Sequence, residues 1–244
     1  MDKLIFTAST GAERIMRAEQ VHANNLANMD TPGFRANLEL ATAQPLLNGY
    51  GQGYDDRHMA RIQADSINAR AGGVRETGRT LDVALNGNGY LALEYGDGEA
   101  YTRAGAIDID ANGALSVQGH PLLGEGGPIV LPQHVEVEVA RDGTISIQTE
   151  GSTQLQVVDR LRLVNAEGSQ LTKNEAGLIV SRDGQPLDAD PAATVRSRAL
   201  EGSNVSAVEE MVATMALNRA FEMQMKLFKA SDNMDDVGNR LVGS

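Results

Sequence analysis

The sequence predicts an α+β chain in which long N- and C-terminal helices pair as a coiled-coil-like domain, with an all-β antiparallel domain inserted between them. Three observations carry this expectation. Apolar residues recur at alternating three- and four-residue spacings at both ends, the spacing falls to two in the middle, and Gly-containing turns punctuate the middle at short intervals.

The first element is a helix over residues 3–28, where Ile5, Ala8, Ala12, Ile15, His22 and Leu26 fall close to one stripe. A helix of about 26 residues is about 39 Å long at 1.5 Å per residue, and so thin, Ala-rich a stripe does not stabilise it alone. A partner helix is therefore required. The other end supplies one: Val208, Met211, Val212, Met215, Phe221, Met225 and Phe228 form a stronger stripe after a cap at Ser203 or Asn204, with Ser206 as the rival cap. Methionines at 211, 215, 223, 225 and 234 suit contacts with non-identical neighbours, because Met adapts its shape, and equally suit filling a two-helix core.

The first helix closes on Ala23-Asn24-Asn25-Leu26-Ala27-Asn28 and stops before Thr31-Pro32-Gly33-Phe34. Asparagine carries both donors and acceptors, so these side chains can join neighbouring helices by hydrogen bonds; a merely polar last turn is the plainer alternative. Residues 36–80, with Asn48-Gly49-Tyr50-Gly51-Gln52-Gly53 and Ala71-Gly72-Gly73, read as an irregular connector with at most short strands. From 81 to 199 the period is two, as in Val135, Val137 and Val139, Ile107 and Ile109, or Ile145 and Ile147. Turn signals at Gly96-Asp97-Gly98, Asn112-Gly113, Asp142-Gly143, Glu167-Gly168 and Asp183-Gly184 predict short, mostly hairpin-linked strands. The division is thus 1–35 with 200–244 as a discontinuous helical domain, 36–80 as connector and 81–199 as a β-rich domain, the first being the assembly part and the last the outer part on the family resemblance given below.

No catalytic constellation emerges. Asp108, Asp110, Asn112 and Gly113 match the first half of a calcium loop, but the closing carboxylate is replaced by Gly119, so the segment reads as a hairpin turn rather than a metal site. Gly87, Gly89 and Ala92 have dinucleotide-loop spacing, yet Tyr90–Tyr95 reads as a strand instead of the helix that motif needs. His22, His58, His120 and His134 lack metal-ligand spacing, and no cofactor is expected. Asn204-Val205-Ser206 is a formal glycosylation sequon at a helix start, where both residues are expected as caps.

Composition narrows the partners. With 41% hydrophobic residues the chain can build a core, and no Trp, four Phe, five Tyr and 26 Gly favour a core of Val, Ile and Leu with many turns. A net charge of -12 with scattered basic residues argues against nucleic acid. The absence of cysteine removes disulfides and thiolate chemistry. Neither a secretory signal nor an apolar run of about 20 residues is present, so no direct membrane insertion is expected.

The Asn-rich helix end with Thr31-Pro32-Gly33-Phe34 resembles the N-terminal signature of the flagellar rod and hook proteins. Leu81-Asp82-Val83-Ala84-Leu85, Gly87-Asn88-Gly89-Tyr90, Tyr101-Thr102-Arg103-Ala104-Gly105 and Gly119-His120-Pro121-Leu122-Leu123-Gly124 resemble that family's β-domain landmarks. Leu200-Glu201-Gly202-Ser203-Asn204-Val205 and Phe221-Glu222-Met223-Gln224-Met225-Lys226 look nearest to its proximal-rod branch.

The resemblance implies a structural subunit of the flagellar basal-body proximal rod, not an enzyme, polymerising through its terminal helices to transmit torque. Its β domain would form an outer layer. The implied location is the rod in the periplasm, reached without a cleaved signal through the flagellar type III export apparatus. Implied partners are proximal-rod neighbours, the distal-rod protein and copies of itself. The expected assembly residues are Asn24, Asn25, Leu26 and Asn28; Thr31, Pro32, Gly33 and Phe34, which set the exit angle; and Asn204, Val208, Met211, Met215, Phe221, Met225 and Phe228. The alternatives are a distal-rod or hook subunit and, from another class, a soluble periplasmic binding module or adhesin.

Overall fold

A computed structural model of the chain describes residues 2–45, 58–96, 98–152, 154–174 and 176–242. The class is α+β, with a helix at each end and antiparallel strands between. Two compact units divide it. A helical unit comprises Met1–Ala27, Asn37–Asp65 and Ser206–Ser244, and a β-rich unit comprises Asn28–Ala36 and Ser66–Val205.

In the helical unit, α1 (Asp2–Ala27) touches α2 (Ala207–Val242). Small and polar side chains take part in their contact. Gln224 donates from Nε2 to the Ala8 carbonyl at 2.9 Å, and Gly11 leaves it room, since a Cβ there would lie 2.8 Å from the Gln224 amide nitrogen. Ser206, not Ser203 or Asn204, caps α2: its Oγ accepts from Glu209 N at 3.4 Å and its carbonyl from Glu210 N at 3.0 Å. Glu209 and Glu210 in the first turn complement the helix dipole.

Composition suggested an irregular connector over 36–80, but β1 (Asn37–Pro45) and β2 (His58–Ile67) are strands of 9 and 10 residues paired in a two-stranded sheet. The Asn, Ala and Gln of these segments have weak strand propensity, and backbone pairing together with the contact of β1 on α1 overrides it. The expected Gly-rich run of residues 48–53 lies outside the described residues.

The β-rich unit centres on β5 (Gly89–Tyr95) and β6 (Gly98–Thr102), the adjacent inner strands of a five-stranded antiparallel sheet. Smaller sheets surround it: β3 (Val74–Glu76) pairs with Ala199–Glu201, β4 (Val83–Leu85) pairs with Val195–Ser197, Leu123–Gly124 pairs with Gly127–Pro128, and there are two three-stranded sheets among the described residues. Both faces of β5 are buried. Leu91 and Leu93 join a core with Val83, Ile107, Leu115, Ile145 and Leu163, while Tyr90 and Ala92 face a second core with Tyr101, Val164, Leu171 and Ile179. The alternating burial that a period of two implies therefore fails over Gly89–Leu93 of β5 and holds where Val137 and Val139 oppose Ile147 and Ile145. Val135 precedes its strand and is 71% exposed.

Hairpins occur at Asn112-Gly113 and Asp142-Gly143, but Glu167-Gly168 opens a 3-10 turn, and Asp183-Gly184 joins no hairpin, since Ile179–Ser181 before it pairs with Leu171–Lys173 and the next strand, Val195–Ser197, pairs with β4. The calcium-like run is such a turn. Asp110 accepts from the backbone N–H of Asn112 at 2.8 Å and of Ala114 at 2.7 Å, bonds that hold its carboxyl below the usual range. Gly87 turns the chain between β4 and β5, and Ala92 lies within the strand.

Candidate functional site

Three segments far apart in sequence meet in the β-rich unit around one buried carboxylate, that of Glu201. Its Oε1 accepts from Arg35 at 2.8 Å and from the Gly72 N–H at 2.8 Å. Its Oε2 accepts from Arg103 Nη2 at 2.6 Å and Nε at 2.8 Å. Arg103 uses all five of its donors, because the remaining N–H groups reach the carbonyls of Leu85 at 3.0 Å, Gly87 at 2.9 Å and Gly89 at 2.6 Å. The Tyr90 ring lies 5.6 Å below its guanidinium.

Arg35 is less well satisfied. One nitrogen donates to the Arg70 carbonyl, while Nε is buried without a partner among the described residues. Burial, and then the charge of Arg103, pull its pKa down, against the opposing pull of Glu201. The three side chains are no more than 2% exposed and carry a net +1, so the lone carboxylate is the keystone.

Around this triad the backbone is drawn together. Thr31-Pro32-Gly33-Phe34 forms a turn closed by Phe34 N on the Thr31 carbonyl at 3.2 Å, with Gly33 at φ +70° and its N–H on the Glu201 carbonyl at 2.8 Å. A Cβ at Gly33 would lie 2.2 Å from Ala104 N, so glycine is required for space as well as for φ. Asn204 is buried. Its Oδ1 accepts from Ala36 N at 2.7 Å, and its Nδ2 donates to the carbonyls of Asn68 at 2.9 Å and Arg70 at 2.8 Å. Its amide is thus bonded entirely within the chain, which neither a cap nor a glycosylation site requires.

Lys173 donates to the Arg35 carbonyl at 2.7 Å and sits 3.8 Å from the centre of the Phe34 ring. Burial lowers its pKa to about 8, from 10.5. Between those values the unfolded chain binds more protons at this residue than the folded one does, so stability rises with pH there. Urea unfolding is expected to show a gain of roughly 1–2 kcal/mol from pH 7.5 to 9.5, and Lys173→Met should flatten it. Above pH 10 the trend reverses, because burial holds Tyr90 and Tyr101 above the usual phenol range and only the unfolded chain ionises them.

In the helical unit, Asn25 is 1% exposed and acts on the main chain as a strand would. Its Oδ1 accepts from Asn37 N at 2.8 Å and its Nδ2 donates to the Asn37 carbonyl at 3.1 Å, with a longer bond of 3.3 Å to Glu210. Glu210 also meets His22 at 2.5 Å. Asn25 thereby ties α1 to β1 and α2, a contact internal to the chain. Asn25→Leu is expected to lower the stability of the helical unit by about 1–3 kcal/mol through the stranded Asn37 groups and Glu210, visible as lost hydrogen-exchange protection at Asn37.

The expected α2 stripe does not pack as one face. Phe221 and Phe228 are half-buried, but Val208, Met211, Val212, Met215 and Met225 are 72%, 51%, 61%, 63% and 40% exposed. The residues turned toward α1 include Glu210, Leu217, Ala220 and Gln224. An open, largely apolar groove of about 500 Å³ remains there, lined by Gly11, Ile15, Ala18, Leu38, Leu217 and Ala220. Of the other expected assembly residues, Asn24 is exposed, Leu26 and Asn28 are half-buried, and Thr31, Pro32, Gly33 and Phe34 make the turn on the triad.

Comparison with known proteins decides the family. Residues 7–35 match the model described as "Flagella basal body rod protein", residues 84–147 "Flagellar hook protein FlgE/F/G D1 domain" and residues 196–241 "Flagellar basal body rod FlgEFG protein C-terminal". The chain is 40% identical to the flagellar basal-body rod protein FlgF of Escherichia coli K12, over 99% of both chains. The chain belongs to the flagellar basal-body rod protein family. The corresponding FlgF of Salmonella typhimurium is 39% identical over 99% of both chains, and the rod protein FlgG of Bacillus subtilis is 30% identical over 96% of this chain and 97% of its own.

As a rod-family protein the chain is a structural subunit of the bacterial flagellar basal-body rod. Each of the three matched regions contributes one member of the buried triad: Arg35 from the first, Arg103 from the second and Glu201 from the third. Arg103 and Glu201 lie within the family motifs of the sequence, where their local surroundings give them no evident role. The available signal was a single charge set among small and apolar neighbours in each motif.

Proposed function

We propose that this rod-family chain is a proximal-rod subunit that assembles through its terminal helices, paired in coiled-coil-like fashion, and passes torque along the axis as part of a drive shaft. The observation that carries the reading is the row of exposed apolar side chains on α2, Val208, Met211, Val212 and Met215, in a chain whose β-rich unit has its own filled cores. Burying such side chains against neighbouring subunits is favourable by about 1.5–3 kcal/mol each when complete, and repetition along a rod multiplies the gain.

The assembly surface is Val208, Met211, Met215 and Met225 with Phe221 and Phe228 beside them, joined by Asn24, Leu26 and Asn28 at the end of α1. Asn25 supports that surface from within the helical unit, while Asn204 and the Thr31, Pro32, Gly33 and Phe34 turn tie the β-rich unit together. The greater likeness to the two FlgF relatives than to Bacillus FlgG supports the proximal position. A distal-rod position is the second reading, favoured by 31% identity to the FlgG of Borreliella burgdorferi over 99% of both chains.

The division of labour follows the sequence: 1–35 with 200–244 assemble, and 81–199 form the outer domain. Its neighbours are proximal-rod subunits, the distal-rod protein and copies of itself, and it reaches the periplasm unfolded through the flagellar type III export apparatus. No catalysis is involved. Deleting the gene in its host and imaging purified basal bodies tests the position. Non-motile cells whose rods stop at the proximal segment support it; rods that are complete to the distal segment but lack a hook would move the subunit outward, and complete, motile flagella would refute both readings.

A further inference from the structure

We infer that the buried triad is a closing lock that makes folding of the β-rich unit conditional on its last segment. The triad is assembled across long stretches of chain: Glu201 lies 98 residues from Arg103 and 129 from Gly72, and Asn204 bonds Ala36 across 168. The two guanidinium groups belong to the earlier part of the unit, and the carboxylate that neutralises both arrives with its last strand, Ala199–Glu201.

If the rest of the unit closed before Glu201 docked, Arg103 would be left with the carbonyls of Leu85, Gly87 and Gly89 and the Tyr90 ring, and Arg35 with the Arg70 carbonyl, in a site that is dry in the folded unit. Burying two like charges without a counter-ion is strongly unfavourable. The turn at Gly87 to Gly89, on which β5 begins, is held by that same Arg103, so β5 and β6 cannot be completed around a dry guanidinium. Asn204 adds a second late tie, clasping the backbones of Ala36, Asn68 and Arg70 together. Because a chain is synthesised from its N-terminus, the unit stays open until residues 199–204 are available. The lock depends only on the β-rich unit and stands apart from the assembly reading above.

Pulsed hydrogen exchange during refolding of the full chain tests this. Backbone amides of β5 and β6 are expected to gain protection in the same kinetic phase as those of Ala199–Glu201. Protection of β5 and β6 in an earlier phase would overturn the lock. In a variant carrying Arg35→Met, Arg103→Met and Glu201→Met together the charges are gone, and β5 and β6 should become protected at least several-fold sooner than 199–201; a phase still shared would show that the triad is not the cause. Should that variant not fold, Glu201→Asp serves: it should slow protection of both segments by the same factor, whereas slowing confined to 199–201 would overturn the proposal.

Discussion

Glu201→Gln is expected to destabilise the β-rich unit by about 3–5 kcal/mol, because it removes the one negative charge from a site where two arginines are nine-tenths or more buried. The glutamine is nearly isosteric and can still accept from the Gly72 N–H, so packing survives and the loss reports charge. Arg35→Met should cost less than half as much. It leaves Arg103 and Glu201 as a balanced pair and removes a side chain whose Nε lacks a partner among the described residues. Urea unfolding followed by far-UV circular dichroism measures both. Equal losses, or a larger loss for Arg35→Met, would mean that the carboxylate is not the keystone.

The second large effect concerns assembly. Met211→Glu combined with Met215→Glu is expected to abolish motility and rod incorporation while the purified subunit keeps its unfolding free energy within about 0.5 kcal/mol of the parent, as exposed substitutions do. Both side chains are more than half exposed, so charge there costs the monomer little. Placed against an apolar neighbour in the rod, the same charges would be desolvated without partners. Leu217→Glu is the contrast. It enters the groove facing α1 and should destabilise the monomer as well. Motile cells carrying the double variant would remove α2 from the interface.

The terminal helices were legible because their apolar spacing is set by the chain itself, and the β-rich middle because period-two patterning and Asx-type turns at Asp110 and Asp142 are local. The face of α2 that packs on α1 was not. Hydrophobic spacing puts Val208, Met211 and Met215 on the stripe expected to face the partner helix, whereas the monomer uses Glu210, Ala220 and Gln224 there, paired with an α1 whose Ala8 and Gly11 admit only a close or polar partner. Hydrophobicity marks what wants covering, and does not say whether the same chain or a neighbour covers it.

The triad was illegible for a different reason. Its members are ordinary charged residues separated by long stretches of chain, and only the fold reveals that Arg103 has every donor occupied and that Glu201 is buried. Asn25 falls between these cases. Its donor and acceptor capacity was readable, but its partner is the backbone of Asn37, in a segment whose composition hid a strand.

The most direct test of the rod-subunit account is site-specific photocrosslinking in assembled basal bodies, with the photoreactive residue placed in turn at Met211 and Met215, and at Val157, which is 70% exposed on the β-rich unit, as comparison. The account predicts adducts from 211 and 215 to terminal-helix peptides of rod subunits, formed only when rods assemble. Adducts from Val157 alone, with none from α2 in intact rods, would contradict it.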